Sequence, residues 1–153
     1  MVIVSITCTT LLFAQVPVRE HPDQRSLLES DDPRLAANKR MVFDFYCKAF
    51  QTYNMDLVPK YMREDYIQHN PTVPTGRKAF MAYFGQFEKK PETDHIEGLV
   101  NMIAEGDYVV LSFKVEYDDP SEPGKTYTTT WFDMFRIEEG KLAEHWDYGR
   151  KEQ

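Results

Sequence analysis

The chain has 153 residues, a length that corresponds to one domain with a sizeable core. Hydrophobic residues make up 42% of it and aromatic residues 14%, which excludes an intrinsically disordered protein. The net charge is −7, from 18 basic and 25 acidic residues, without a cluster of Lys and Arg. Because a chain of this charge repels phosphate backbones, the composition excludes a nucleic-acid-binding protein.

The N-terminus has the character of a targeting segment. Residues 1–18 carry no charge, and an apolar run over 2–14 ends at Ala14, a residue type suited to signal cleavage. The run is too short for a membrane span, which takes about 20 apolar residues. We predict a signal peptide at 1–14 and a secreted or periplasmic protein, although the usual basic region is missing. The alternative is a disordered tail or a misplaced start codon on a cytoplasmic protein.

Helix signals follow a charged segment that contains two prolines. Residues 15–32 are predicted to be a linker, and the domain is predicted to span 33–153. Asp32-Pro33 has the pattern of an N-cap followed by proline in the first turn. Residues 34–53 then carry a broad apolar stripe of helical period, which predicts a long helix with a wide buried face. Cys47 lies within it as a small buried residue, so a disulfide with Cys8 is not expected.

The remaining elements change from helical to alternating period along the chain. A short helix is predicted at 55–62, an extended segment at 66–71, and a third helix at 76–89. Four strands are predicted at 96–105, 108–118, 126–137 and 142–148. Three helices followed by an antiparallel sheet predict an α+β fold in which the helices pack on one face of the sheet.

The hairpin between the last two strands decides which side chains share a face. Glu is a poor residue for positive φ, so we predict a three-residue loop, Glu138-Glu139-Gly140, with only Gly140 left-handed. That register places Ile137 opposite Lys141. The pairs farther from the loop are Asp133–His145, Phe135–Ala143 and Trp131–Asp147, and the residues of these pairs would share one face of the sheet. In the alternative register, slipped by one residue, Trp146 and Glu144 would lie on that face instead.

The order of elements and several segments together resemble the SnoaL-like proteins, a polyketide-cyclase-related branch of the nuclear-transport-factor-2-like superfamily. The segments are YIQHNP followed by Gly76, GDYVV at 106–110, and FRIEEGKLAEHWD at 135–147. The resemblance covers about residues 38–147. It implies a cone-shaped, half-open barrel in which a curved sheet wraps a long helix around a deep pocket. It also implies an acid–base Asp on the third strand, matched by Asp133, a His partner that either His145 or His69 could supply, and dimers formed through the outer face of the sheet.

The candidate site residues are polar groups set among apolar neighbours, where burial is costly unless they are paired. The candidates for catalysis are Asp133, His145, Asp147 and His69, and those for substrate binding are Tyr66, Asn70, Trp131 and Phe135. Each also has a structural interpretation. Asp133 could be a hydrogen-bonded structural carboxylate, His145 and Asp147 a solvated pair on the outer sheet, and Asn70 a turn residue before Pro71. Tyr66 and Trp131 could be core aromatics. The spread of His69, His95, His145 and Asp133 matches no recognised zinc spacing, so no metal site is predicted.

The sequence favours a small, cofactor-free enzyme that acts on an apolar carbonyl compound. Desolvation in a hydrophobic cavity disfavours a charged carboxylate, which suits Asp133 to accept a proton near neutral pH. An aldol cyclisation, an isomerisation and a dehydration all fit, with the donor for the enolate oxygen coming from His145, His69, Asn70 or Tyr66. One rival is a non-catalytic binding module for a small hydrophobic ligand. The other is a water-activating hydrolase-like variant that uses Asp133 and Asp147, which the absence of an Arg from the predicted pocket face disfavours.

The opposite face of the fourth predicted strand indicates an assembly. It carries Thr128, Thr130, Phe132, Met134 and Arg136, a mixed surface in which two large apolar side chains would be exposed on a monomer. Exposed apolar patches tend to mark interfaces. We therefore expect an isologous homodimer across this face of the sheet.

Overall fold

The computed structural model describes residues 15–149 and 151, so the predicted signal peptide at 1–14 lies outside the described residues. The helices are α1 (Pro33–Phe45), α2 (Val58–Tyr61) and α3 (Arg77–Phe84), and the strands are β1 (Met62–Gln68), β2 (Leu99–Glu105), β3 (Tyr108–Asp118), β4 (Thr126–Glu138) and β5 (Lys141–Asp147). This order confirms the predicted α+β fold, with three helices packed on a sheet. Within the described residues, no helix has the length and hydrophobicity needed to cross a bilayer.

Helix α1 begins where the sequence predicted it. The Asp32 carboxylate accepts hydrogen bonds from the backbone N–H groups of Arg34 and Leu35, and Pro33 occupies the first turn. The helix then widens into a π-helical turn, Tyr46–Phe50, before it ends. π-Helical turns are uncommon, and a large share of those that occur lie at functional sites. This one carries Tyr46 towards the inner face of the sheet.

The sheet has the strand order β1-β5-β4-β3-β2, with β1 and β2 at opposite edges, so it is curved around the helices without closing. Neighbouring strands from β2 to β5 are antiparallel, whereas β1 pairs with β5 in parallel. The prediction of a wholly antiparallel sheet is therefore wrong at one edge. Residues 66–68 of the predicted extended segment form the end of β1, whereas 69–71 lie beyond the strand. The long connection from β1 to β5 permits parallel pairing.

The core lies between α1 and the inner face of the sheet. Val42, Phe43 and Phe45 of α1 are almost fully buried, as are Tyr66 of β1 and Leu111 of β3. Burial of each large side chain contributes about 1.5–3 kcal/mol, so this layer stabilises the helix-on-sheet packing. Cys47 is buried among these residues as a free thiol, as predicted.

Residues 15–32, predicted to be a linker, instead pack against the domain. Gln24 is buried and binds the backbone of Ile96 through both of its side-chain polar atoms, and Leu28 belongs to the core. Nearer the N-terminus, the backbone N–H of Val18 donates to the hydroxyl of Thr128, which this segment covers on the outer face of β4. The sequence of the segment, with its prolines and charges, did not predict these contacts, because hydrogen bonds to backbone groups far along the chain leave no local pattern.

Candidate active site

A cavity of about 250 Å³ lies between the end of α1, helix α3 and the inner face of the sheet. Most of its wall is aromatic, and its polar groups come from strands β1, β4 and β5 and, with Tyr46, from the π-helical turn. The lining residues are Phe45, Tyr46, Phe50, Tyr66, Gln68, Val73, Phe80, Phe84, Trp131, Asp133, Phe135, His145 and Asp147. An apolar cavity with a few convergent polar groups is the usual form of a small-molecule site.

The hairpin between β4 and β5 differs from the predicted loop but preserves its faces. The loop has two residues, Glu139 and Gly140, and both have positive φ, 52° and 71°. The pairing then shifts by one more residue at a bulge between Leu142 and Glu144. Arg63 of β1 holds the strained Glu139 through an ion pair of 2.9 Å.

The two shifts together move the register by two residues from the predicted one. Asp133 pairs with Asp147 instead of His145, and Phe135 pairs with His145 instead of Ala143. Because side chains alternate with period two, an even shift leaves the side chains beyond the bulge on their predicted face, whereas next to the loop Leu142 takes the predicted place of Lys141 opposite Ile137. The cavity therefore receives the predicted set from the hairpin through a different pairing.

Asp133 is buried, with 8% of its surface exposed, and both of its oxygens accept hydrogen bonds. The indole N–H of Trp131 donates to Oδ1 at 2.7 Å, and the hydroxyl of Tyr46 donates to Oδ2. Sequence reasoning had placed Tyr46 only in the apolar stripe of the helix. Burial, and then the negative charge of Asp133, raise the pKa of Tyr46 well above its ordinary value, so the phenol stays neutral and remains a donor.

His145 stacks on the Phe135 ring, with 4.3 Å between the ring centroids, and binds Gln68 of β1. Its Nδ1 lies 3.1 Å from Gln68 Oε1, which also accepts the backbone N–H of Asn70 at 3.0 Å. Since that amide oxygen can only accept, Nδ1 carries the proton in the tautomer that the network selects. Nε2 of neutral His145 therefore presents a lone pair, 3.7 Å from Asp133 Oδ1. Gln68 was not among the predicted site residues.

Asp147 completes the group of polar side chains. Its Oδ2 accepts a hydrogen bond of 2.9 Å from the side-chain amide of Asn70, whereas Oδ1 is buried without a partner in the structure. The amide oxygen of Asn70 is itself held by the backbone N–H and hydroxyl of Thr72. Asn70 thus has the turn role considered for it. It does not line the cavity, and it acts on the site by positioning Asp147.

The structure does not bring His69 to the cavity. In β1, Tyr66 and Gln68 face inwards, and the alternation turns the next residue to the outer face. There His69 binds Glu144 through Nε2 at 2.8 Å and stacks on Trp146, with ring centroids 4.9 Å apart. His69 is therefore withdrawn as a catalytic candidate. Tyr66, Trp131 and Phe135 line the cavity as expected.

The hydroxyl group of Tyr66 is available to donate a hydrogen bond in the site. Its hydroxyl oxygen accepts a bond of 3.3 Å from Gln68 Nε2, which leaves its own proton available. Burial raises the pKa of Tyr66, and the negative charges of Asp133 and Asp147 raise it further. The group is a neutral donor at any physiological pH, as stabilisation of a developing oxyanion requires.

One ligand atom from each of Asp133, His145 and Asp147 lies within 4.8 Å of the other two, so these residues are the ones in this cavity that could hold a cation. His69 and His95, considered with them from the sequence, lie elsewhere: His95 is exposed and pairs with Glu20. A carboxylate–imidazole–carboxylate group in an aromatic cavity can accept, hold and return a proton.

The geometry around His145 gives the first testable prediction. Replacement of Gln68 by Met keeps the volume but removes the acceptor that fixes Nδ1–H, so we expect a mixture of tautomers in the variant and one tautomer in the native protein. Nitrogen-15 NMR of labelled histidine measures this directly. The exposed Gln86, replaced by Met in the same way, is the matched control and should leave the His145 tautomer unchanged. A native His145 that carries its proton on Nε2 would contradict the assignment.

Comparisons with known proteins agree with this fold. Residues 42–145 match the family model described as SnoaL-like domain. A protein assigned as a SnoaL-like polyketide cyclase, from Jannaschia sp. CCS1, shares 15% identity and a TM-score of 0.55, over 78% of this chain and 90% of that one. An LEH-like epoxide hydrolase from M. tuberculosis shares 14% identity and a TM-score of 0.53, over 76% and 84% of the two chains.

A third solved structure, assigned as a polyketide cyclase from Acidithiobacillus ferrooxidans, shares 19% identity and a TM-score of 0.52, over 78% of this chain and 90% of that one. At such identities these likenesses show a shared fold, and the chemistry has to be argued from the site itself. No curated protein sequence is significantly similar to the chain.

Proposed function

Because the chain belongs to the SnoaL-like domain family, we propose that it is a small, cofactor-free enzyme that transfers a proton on an apolar carbonyl compound. The observation that carries this proposal is the position of Asp133. It is buried in an aromatic cavity, fixed by Trp131 and Tyr46, and 3.7 Å from Nε2 of His145. Such a carboxylate has the orientation and the dry surroundings of a general base.

The proposed step begins with the substrate's carbonyl oxygen at the hydroxyl of Tyr66. Asp133 takes a proton from the carbon next to the carbonyl, the C–H electron pair forms a carbon–carbon double bond, and the π pair of the C=O bond moves onto the oxygen. Tyr66 donates a hydrogen bond to the enolate that forms. The enolate then attacks a second carbonyl and the Asp133 carboxyl returns its proton to the new alkoxide, or that proton goes to another carbon of the substrate, or it goes to a hydroxyl group that leaves as water. These outcomes are an aldol cyclisation, an isomerisation and a dehydration, respectively.

Two rivals use the same cavity. In the first, the protein binds a small hydrophobic ligand and performs no chemistry. In the second, Asp133 and Asp147 activate a water molecule, an arrangement that their direct pairing across β4 and β5 favours. Among the described residues that line the cavity there is no Lys or Arg to stabilise a leaving oxygen, which weighs against the second rival.

A structure with a bound carbonyl compound discriminates between the proposal and its rivals. We expect the carbonyl oxygen within hydrogen-bond distance of the Tyr66 hydroxyl and the adjacent carbon facing Asp133. A ligand seated in the cavity with no reactive atom near Asp133 would favour the binding module. A water molecule held between Asp133 and Asp147, and aimed at an electrophilic carbon, would favour the hydrolase-like variant.

We also propose that the protein is a homodimer through the outer face of the sheet. Phe132 is 55% exposed there, and Met134 and Trp146 lie beside each other on the same face. A contiguous apolar patch on an open sheet face is typical of an interface. The beginning of β4, around Thr128, lies outside this contact, because residues 15–18 cover it.

The dimer gives a prediction for sedimentation. We expect a species of twice the 18.0 kDa chain mass at micromolar concentration, or twice the mass of the cleaved chain if residues 1–14 are removed. Phe132→Lys should convert it to a monomer, because a charge at the centre of an apolar contact is costly to bury. Phe87→Lys makes the same change at a 45% exposed Phe after α3 and should leave the dimer intact. Sedimentation of the unmodified protein as a monomer alone would contradict the proposal.

A further inference from the structure

Two polar atoms in the cavity have no hydrogen-bond partner among the described residues. They are Nε2 of His145 and Oδ1 of Asp147, both buried. His145 as a whole is only 7% exposed. A buried polar atom without a partner is costly, and a carboxylate oxygen, like Nε2 of an imidazole protonated on Nδ1, can only accept, so these two atoms call for a donor from outside the chain. The bound molecule should therefore bring hydrogen-bond donors to this end of the cavity.

The charge around these acceptors defines the donor. Two carboxylates face the cavity, no described lining residue is Lys or Arg, and the groups that hold the carboxylates are neutral: an indole, a phenol and an amide. The same negative charges raise the pKa of Tyr66. An anionic ligand would be repelled, and a neutral one would leave the charge uncompensated, whereas a cation would be attracted.

The walls of the cavity also suit a cation. Rings from Phe45, Phe50, Phe80, Phe84 and Phe135 form most of the apolar lining. The faces of aromatic rings attract cationic groups, most strongly where the pair is shielded from water. At about 250 Å³ the cavity is smaller than the typical range for drug-sized ligands, so the molecule is small.

The spacing of the acceptors admits both a metal ion and an organic ammonium. Bonds of about 2.1 Å to a tetrahedral metal place the ligand atoms about 3.4 Å apart, whereas charged hydrogen bonds of about 2.8 Å to an ammonium nitrogen place the acceptors about 4.6 Å apart. The three acceptor groups lie within 4.8 Å of one another, and Asp133 Oδ1 and His145 Nε2 are 3.7 Å apart. The 3.7 Å separation is nearer the metal spacing, and the 4.8 Å limit admits the ammonium spacing, so the aromatic walls, which attract an organic ammonium through the faces of their rings, carry the choice of an ammonium.

We infer that the molecule bound in this cavity is a small apolar compound with a protonated amine, which donates to Asp147 Oδ1 and His145 Nε2. The inference rests on the proposed function only for the identity of the site. In combination with that function, the substrate is a carbonyl compound that carries an amine next to the reacting carbon. The ammonium then fills the two vacant acceptors, and Asp133, already held by Trp131 and Tyr46, remains free to take the proton.

An NMR titration with two probes of the same shape tests the inference. Benzylamine is protonated at neutral pH, and benzyl alcohol is its neutral counterpart. Because a hydrogen bond to a charged group contributes about 1.5–3 kcal/mol, we expect benzylamine to bind at least ~10-fold more tightly. Asp147→Asn should remove about that factor for the amine and leave the alcohol unchanged. Asp118→Asn, the same change at an exposed residue of β3, is the control for net charge and should alter neither affinity.

Equal affinities for the two probes would overturn the inference, as would an amine affinity that Asp147→Asn leaves unchanged. Zn²⁺ that binds in a parallel titration, loses affinity in Asp147→Asn and is not displaced by benzylamine would also overturn it, by assigning the cluster to a metal. These outcomes are independent of turnover. An Asp133→Asn protein that still catalyses a reaction refutes the proposed chemistry without affecting amine binding.

Discussion

Replacement of Asp133 by Asn is expected to lower the turnover of the substrate by at least ~100-fold, the usual scale for loss of a general base. The Asn side chain keeps the shape of the Asp. Its amide oxygen can accept the Trp131 indole N–H, and its amide nitrogen can donate to the Tyr46 hydroxyl, so both contacts survive in altered form. What the variant lacks is a group able to accept the proton. Steady-state kinetics measures the loss, with thermal unfolding as the check on the fold.

The affinity for a hydrophobic ligand should survive the same substitution, since the aromatic walls of the cavity are untouched. Asp118→Asn removes the same charge from an exposed position and should keep the unmodified rate. If Asp133→Asn turns over a genuine substrate at the unmodified rate, the proton-transfer proposal is wrong and the cavity is left to the binding module.

Phe45→Ala is expected to lower the free energy of unfolding by about 3–5 kcal/mol, the range for truncation of a buried Phe. Phe45 is 2% exposed, and its ring contacts five other rings that come from the helices and the sheet: Tyr46, Phe50, Tyr61, Phe80 and Phe135. Removal of the ring would leave a void that joins the existing cavity, and the surrounding helices and sheet cannot move far enough to fill the combined space. Urea denaturation at equilibrium measures the loss.

Phe87→Ala is the matched control for this prediction. That ring is 45% exposed and packs on Tyr53 and Phe84 at the edge of the aromatic group. Its truncation should cost about 1 kcal/mol or less, as is usual for surface positions. Equal losses for the two variants would show that Phe45 does not hold the helices to the sheet.

Local patterns in the sequence predicted most of the fold. The cap at Asp32 located the start of α1, and the alternation of apolar and polar residues located β3 with its observed bounds. These signals depend on residues close together in the chain, where period and capping chemistry act directly. The parallel pairing of β1 with β5 has no such signal, since it depends on a partner more than 70 residues away.

The candidate site shows the same contrast between features predicted from local patterns and features that depend on distant residues. Asp133, His145 and Asp147 were assigned to one face from alternation, and this survived a wrong loop because the register error was even. The sequence could not anticipate that Glu139 would adopt positive φ, since the ion pair with Arg63 that accompanies this conformation is a long-range contact. Tyr46 and Gln68 were missed for a related reason. Their roles depend on hydrogen bonds to residues 87 and 77 positions away.

His69 was misassigned because its neighbours were judged by residue type and not by parity. Tyr66 and Gln68 share the inner face of β1, so the same alternation that located the hairpin residues would have turned His69 outwards. Its contacts with Glu144 and Trp146 place it on the face proposed for dimerisation.

Solvent-deuterium exchange tests the central claim most directly, that Asp133 removes a proton from a carbon next to a carbonyl. A small aryl ketone that binds in the cavity, with and without a neighbouring amine, is incubated with the protein in deuterated buffer and followed by proton NMR. We predict that deuterium enters at the carbon next to the carbonyl faster than in buffer alone, and that Asp133→Asn abolishes the increase. A ketone that occupies the cavity, in contact with Asp133, and exchanges no faster than in buffer would contradict the claim.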